Sequence, residues 1–192
     1  MSNPAIKEFV FKGILANHAI RDMQSSGILR RSNSSEIEKK QSDLFASIQE
    51  TVRNGSLEMQ YAYRVLFVLE NIVREFIDSR LSEEFGSDWF ETKATAGMKD
   101  NYSKRKATEE KNLWHTGRNK HPVFYIDFGD LSKLITNNWP SFVDLLPNQP
   151  WVQSRLEEVE RSRNVIAHTN VLAAEEVDRL EMYLRDWIRQ IG

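Results

Sequence analysis

The chain has 192 residues, of which 40% are hydrophobic and 28% charged, and a formal net charge of −2. That length suffices for one domain with a real core, and the charge balance leaves nucleic-acid binding to local patches. Absence of cysteine excludes disulfides and thiolate metal sites, and no stretch approaches the ~18 apolar residues of a membrane span.

The N-terminus, MSNPAIKEFVFKGILANHAIRDM, is too interrupted by charge for a signal peptide. The expected setting is therefore the cytoplasm, without membrane contact. Asn3-Pro4 reads as an N-cap followed by proline at the first helical position. A helix from Pro4 to about Met23 would gather Ile6, Phe9, Val10 and Ile20 on one side. Residues 25–35, SSGILRRSNSS, read as a linker, so residues 1–35 form either a separate docking arm or an extra helix packed on the domain. Residues 36–192 form the main domain.

Ser35 with Glu38 fits a capping box. The helix it opens carries Ile37, Leu44, Ile48 and Val52 on one face, and Gly55 is placed to close it. The next helix, 57–85, has a broad stripe of Ala62, Val65, Leu66, Leu69, Ile72, Val73, Phe76 and Ile77, with Gly86 at its end. It would span about 40 Å, enough to be the backbone of a bundle. Residues 87–128 are less regular. The segment 87–114 is helical in part, and GRNKHPVFYIDF (117–128) is extended or loop-like, since Pro122 disfavours helix just before it. DLSKLITNN and PSFVDLL are short helical candidates, with Asp130 as a cap for the first and Pro140 opening the second. Two strong helices finish the chain, at about 151–168 and 173–191. The short turn between them makes them antiparallel neighbours. The spacing therefore predicts an all-α bundle.

One position breaks the pattern. Val152, Leu156, Val159 and Ile166 mark an apolar ridge, and its missing member is Arg163. A cation there is costly unless a carboxylate, phosphate or solvent-filled groove receives it, and arginine cannot escape by losing its proton. His168 lies five residues on, about 140° round a straight helix. The two could converge if the helix ended near His168 or if a second copy of the chain faced the first. Asn164 sits one turn before His168 and could hydrogen-bond an imidazole nitrogen. Arginine grips phosphate bidentately. An imidazole, with an ordinary pKa of about 6.5, can take or give a proton at neutral pH. RNA carries its own nucleophile in the 2′-hydroxyl, so no metal or cofactor is called for. On the residues alone a structural reading stands beside the catalytic one: Arg163 pairs with a buried glutamate such as Glu70, and His168 caps a helix end.

The segment RNVIAH (163–168) resembles the R-x4–6-H motif of the HEPN superfamily, with a polar residue directly after the arginine. Its context is similar to a branch of HEPN domains appended to RNA-surveillance endonucleases. VLENIVREFI (68–77) is followed by GSDWF (86–90), YIDFGDL (125–131), WPSF (139–142) and the motif helix. The resemblance covers about residues 40–192. It implies a helical bundle that dimerises so that two motifs form one composite site, and a metal-independent endoribonuclease used as a toxin or antiviral effector. An antitoxin or larger defence complex then becomes a possible partner. By position it makes Arg163 and His168 the catalytic pair and Asn164 their support. Glu70 either orients the motif or forms an ordinary i,i+4 pair with Arg74. The competing expectation is a non-catalytic HEPN-type module that binds RNA or scaffolds a complex.

Residues 99–120 hold seven basic side chains (Lys99, Lys104, Arg105, Lys106, Lys111, Arg118 and Lys120) against three acids, with Tyr102 and Trp114 among them. The strip is either a solvated helix face or a surface where Lys104, Arg105, Lys106, Lys111 and Arg118 hold an RNA backbone while aromatics stack bases. His115 and His121 have no usual metal-ligand spacing. Trp89, Trp139, Trp151 and Trp187 are read as packing residues.

Overall fold

The computed structural model describes residues 43–118 and 121–191. The arm, the linker and the Ser35–Glu38 capping box lie outside the described residues. The described chain is all-α, as expected: α1 (Glu50–Phe85), α2 (Trp89–Lys93), α3 (Ala96–Lys111), a 3-10 turn (Pro122–Phe124), α4 (Phe128–Asn137), a second 3-10 turn (Trp139–Ser141), α5 (Gln149–Ala167) and α6 (Ala174–Ile191). Among the described residues no helix is long and apolar enough to cross a membrane. The chain divides into two compact units between Ser56 and Leu57. In the described part of the first, Leu44, Ile48 and Val52 are exposed.

Gly55 does not end a helix, because α1 runs through it. A glycine inside a helix costs only about 1 kcal/mol relative to alanine, which 36 continuous residues absorb. Gly86 does end α1. Its φ of 84° lies in the left-handed region that glycine enters freely, and its N–H returns to Ser82 O at 2.9 Å.

In the second unit α1 is the central strut. Leu69, Val73, Ile77 and Leu81 are fully buried in one continuous core. Phe76 meets Phe142 and Trp187 at centroid separations of 5.5 and 5.9 Å, which brings the turn after α4 and the helix α6 onto the same face. Trp89 and Trp187 are fully buried, and Trp139 and Trp151 are partly buried against the core.

Polar ties fix the neighbours. Arg80 donates to Ser141 O and to both Asp144 oxygens. Arg74 is 6% exposed; it donates to Glu70 Oε1 at 2.6 Å, to Ile126 O at 3.2 Å and to Val123 O. The loop 121–127 is therefore hung from α1 by a buried guanidinium.

The last two helices are antiparallel, as the short turn predicts. Arg155 pairs with Asp186 at 2.8 Å, and Glu158 accepts from Tyr183 at 2.6 Å; three steps along α5 match three steps back along α6. Burial first, then the hydrogen bond to Glu158, pushes the Tyr183 hydroxyl pKa up to about 12.

Two boundaries differ from expectation. The helix predicted from Asp130 begins at Phe128, with Asp127 at the N-cap, and Asp130 instead pairs with Lys133 at 2.8 Å. PSFVDLL forms a 3-10 turn and a run of turns rather than an α-helix, closed by main-chain bonds from Phe142 and Val143 to Trp139 O.

Candidate active site

The fifth helix is locally well specified. Asn148 caps it, its side chain accepting from Trp151 N at 2.8 Å, and Pro150 sits in the first turn. Val152, Leu156 and Val159 are buried, and the same spacing leads to Arg163, which is half-buried. Val165 and Ile166 pack against the core. The ridge thus leaves Arg163 half-buried rather than enclosed. Its Nη1 approaches Asn164 Oδ1 at 3.4 Å, and it has no carboxylate partner among the described residues. The carboxylate first considered for it, Glu70, is taken by Arg74 through Nε and Nη2 at 3.1 and 2.6 Å. Glu70 is therefore an i,i+4 partner to a buried arginine, not a group touching the motif.

The helix ends just before the histidine, one of the two ways foreseen for freeing its direction. Ala167 is its last residue, and His168 is the C-cap with ψ of 19°. The chain then makes a Schellman turn. Thr169 N–H bonds to Ile166 O at 3.0 Å and Asn170 N–H to Val165 O at 3.1 Å. This turn needs a left-handed residue after the cap, and glycine is the usual choice. Here the residue is Thr169, with φ of 58°. A β-branched residue in that region is strained. Part of the strain is offset by side chains that grip the histidine carbonyl: Thr169 Oγ1 donates to His168 O at 2.7 Å and Asn170 Nδ2 at 3.1 Å. The imidazole is exposed, on a backbone held from both sides.

Asn164 lies between the two functional candidates. Its main-chain carbonyl accepts from His168 N–H at 3.2 Å, and its side-chain oxygen faces the Arg163 guanidinium. The expected bond from Asn164 to an imidazole nitrogen is not formed; the side-chain oxygen meets Arg163 instead. Arg163, Asn164 and His168 lie within the last turn and cap of α5, with Asn164 and His168 exposed and Arg163 half-buried. Among the described residues no group of three or more His, Asp or Glu side chains is placed to hold a metal.

The basic strip is more occupied than its composition suggests. Lys104 pairs with Asp100 at 2.6 Å, Arg105 with Asp127 at 2.6 Å and Arg118 with Glu109 at 2.7 Å. Arg105 also donates to Tyr125 O, so it clamps loop 121–127 from the α3 side. Lys106 lies 5.8 Å from the Tyr125 ring centre; Lys111 is exposed. Lys120 lies outside the described residues. Tyr102 is a packing residue, half-buried in T-shaped contacts with Phe90 and Tyr125. Trp114 offers a face for stacking, being 83% exposed. It shares an open groove of about 650 Å³ with Lys104, Arg105 and Arg118. Glu109 accepts from Tyr125 Oη at 2.7 Å. That bond, followed by the contacts from Arg118, holds the carboxyl pKa below its ordinary value. Burial and the same bond push the Tyr125 hydroxyl up to about 12.

His121 belongs to the fold rather than to a site. It stacks on Trp89 at 5.3 Å, its Nδ1 accepts from Val123 N at 3.3 Å, and its Nε2 lies 3.1 Å from Asp78. His115 is exposed, edge-on to Trp114.

Sequence reasoning missed Arg74, the Glu109–Tyr125–Arg118 cluster and the Thr169–Asn170 clamp. For Arg74 the only signal was Glu70 one turn before it. For the clamp it was the asparagine two residues past a helix-ending histidine.

Comparison with known proteins gives one family. A model described as Swt1-like HEPN matches residues 64–192. Neither the curated proteins nor the solved structures yielded a significant match.

Proposed function

We propose, because this chain belongs to the Swt1-like HEPN family, that it is an endoribonuclease working without a metal at a composite site in a homodimer. At the level of the family, RNA cleavage or RNA binding is the expected activity. The cleavage reading is carried by Arg163: a half-buried cation on an apolar ridge, without a carboxylate among the described residues, on the same helix end as an exposed imidazole.

In this reading the 2′-hydroxyl attacks the adjacent phosphorus. One His168 takes its proton or delivers a proton to the departing 5′-oxygen. Arg163 binds the phosphate and stabilises its growing charge. The P–O5′ bond breaks, leaving a 2′,3′-cyclic phosphate and a 5′-hydroxyl. Asn164 steadies Arg163, and the strained turn at Thr169 fixes the backbone of His168 so that little reorganisation is left to the reaction. The second motif of the dimer supplies the complementary acid or base, since one motif carries a single imidazole. Lys111 and the rims of the α3 groove give RNA its backbone contacts, with Lys104, Arg105, Lys106 and Arg118 at reduced weight because of their intramolecular partners. The biological role that goes with this activity is that of a toxin or phage-defence effector in the cytoplasm, restrained by an antitoxin or held in a larger complex. Residues 1–35 serve as the arm for such a contact, outside the domain of residues 36–192.

The test is purified protein with total RNA in EDTA, beside Arg163→Ala and His168→Ala. Cleavage by wild type that is lost in both variants supports the proposal. RNA binding with no wild-type cleavage replaces it with a non-catalytic RNA-binding or scaffold module.

A further inference from the structure

A second concave site, which shares Arg118 with the α3 groove, lies between α1 and the loop that follows α3. It is a cleft of about 270 Å³ lined by Tyr63, Phe67, Glu70, Asn71, Arg118 and Phe124. Two features set it apart from ordinary surface. Tyr63 and Phe67 are 57% and 55% exposed, although they sit on the helix that carries the core. Beside them are two acceptors without donors among the described residues. Both bonds from Arg74 go to Glu70 Oε1, leaving Oε2 unused. The Asn71 amide donates its Nδ2 to Phe67 O at 2.7 Å, so its Oδ1 faces away from that carbonyl. The Glu70 side chain is only 22% exposed. A ligand meeting that oxygen would therefore do so in a partly dried setting, where an unpaired acceptor is costly and a donor is rewarded.

We propose that this cleft takes a guanine base of the RNA. The proposal deepens the ribonuclease reading and rests on it for the kind of polymer bound. A flat ring suits the walls of Tyr63, Phe67 and Phe124, since unstacked bases of single-stranded RNA are held on aromatic faces. The volume lies just below the ~300–1,000 Å³ of sites for larger organic ligands, which suits one base. Glu70 Oε2 and Asn71 Oδ1, on two residues that line the cleft, ask for two donors. Guanine carries two neighbouring donors, N1–H and the N2 amino group, on one edge. Adenine and cytosine each offer only an exocyclic amino group beside acceptors, and uracil only N3–H. Arg118, half-exposed at the rim, meets a flanking phosphate.

The cleft also lies on the relevant side of the strut. Met59, one turn before Tyr63 on the same face, accepts from Leu172 N at 3.1 Å, and Leu172 is four residues past His168.

The experiment is an NMR titration of the whole protein with GMP, AMP, CMP and UMP, repeated with Asn71→Ala and Phe67→Ala. The expected result is GMP binding about tenfold tighter than UMP, weakened about fivefold by either variant, with the melting temperature of Asn71→Ala unchanged. Cleavage sites mapped on a random RNA pool should show guanosine at one fixed position, and Asn71→Ala should lose that preference. GMP binding without RNA cleavage keeps the cleft and removes the nuclease reading. Equal binding of the four nucleotides, or cleavage with no guanosine preference in wild type, overturns the cleft. A change of oligomeric state in Phe67→Ala with no effect on GMP assigns the aromatic pair to subunit contact and overturns it too.

Discussion

Thr169 offers a substitution whose sign differs from the usual one. At an exposed position inside a helix, such as Gln153 of α5, glycine is less stable than alanine by about 1 kcal/mol. At Thr169 the order should reverse. Both Thr169→Gly and Thr169→Ala lose the hydroxyl and its 2.7 Å bond to His168 O, so that loss cancels between them. What remains is the φ of 58°. An L-residue pays about 1–2 kcal/mol to be left-handed and glycine does not; the greater freedom of glycine in the unfolded chain returns about 0.5–1 kcal/mol. Thr169→Gly should therefore exceed Thr169→Ala by up to about 1.5 kcal/mol, with a middle value of about 0.75 kcal/mol or about 2–3 °C in Tm for a chain of this size. Differential scanning calorimetry on the pair, with Gln153→Gly and Gln153→Ala as control, measures it. If alanine equals or exceeds glycine at both positions, the left-handed turn after His168 does not exist and does not hold the histidine.

Arg74→Met should destabilise the protein by about 3 kcal/mol in urea unfolding. It removes the only donor described for Val123 O and Ile126 O and strips Glu70 of its partner. His121 should make stability fall in mild acid. Burial holds its pKa below the ordinary 6.5, outweighing the raising effect of Asp78. The unfolded chain therefore takes up the proton first; stability is complete above about pH 6.5 and is lost as pH drops through the folded value. His121→Asn, which keeps an acceptor for Val123 N–H, should lose less between about pH 7 and about pH 5 in thermal melts. Lys111→Ala should weaken RNA binding and reduce its salt dependence by about one unit of slope without changing Tm. Arg105→Ala should instead lower Tm, since Arg105 holds Tyr125 O and Asp127.

The helical class and the final antiparallel pair were legible because Val177, Leu180, Leu184, Trp187 and Ile191 keep strict 3–4 spacing, a pattern that only one face of a helix produces. The Gly55 stop failed because the penalty of one glycine is small against the cooperativity of a long helix. Spacing along α5 pointed to Arg163 as the cation of interest, whereas the one that the fold buries is Arg74, 6% exposed. Arg163 stays half-buried on its ridge near the helix end, where Ile166 of the same ridge still packs against the core. Arg74 looked like the outer half of an i,i+4 pair. Its burial depends on two carbonyls about fifty residues away, and main-chain acceptors leave no trace in side-chain patterns. The Schellman turn was hidden for a related reason. Its usual marker is glycine, and here threonine holds the position under strain. The cleft at Tyr63 and Phe67 was invisible because its far wall, Arg118 and Phe124, comes from a loop about fifty residues on.

The most direct measurement of the central claim uses a short RNA whose cleavage site has been mapped, compared with the same oligonucleotide carrying a single 2′-deoxy sugar at the nucleotide 5′ to the cut. Both are incubated with wild-type protein in EDTA. The account predicts that the RNA is cut to a 2′,3′-cyclic phosphate and a 5′-hydroxyl, that the deoxy substrate is intact at that bond, and that Arg163→Ala and His168→Ala cut neither. A deoxy substrate cut at the same bond, or activity retained in His168→Ala, would contradict it.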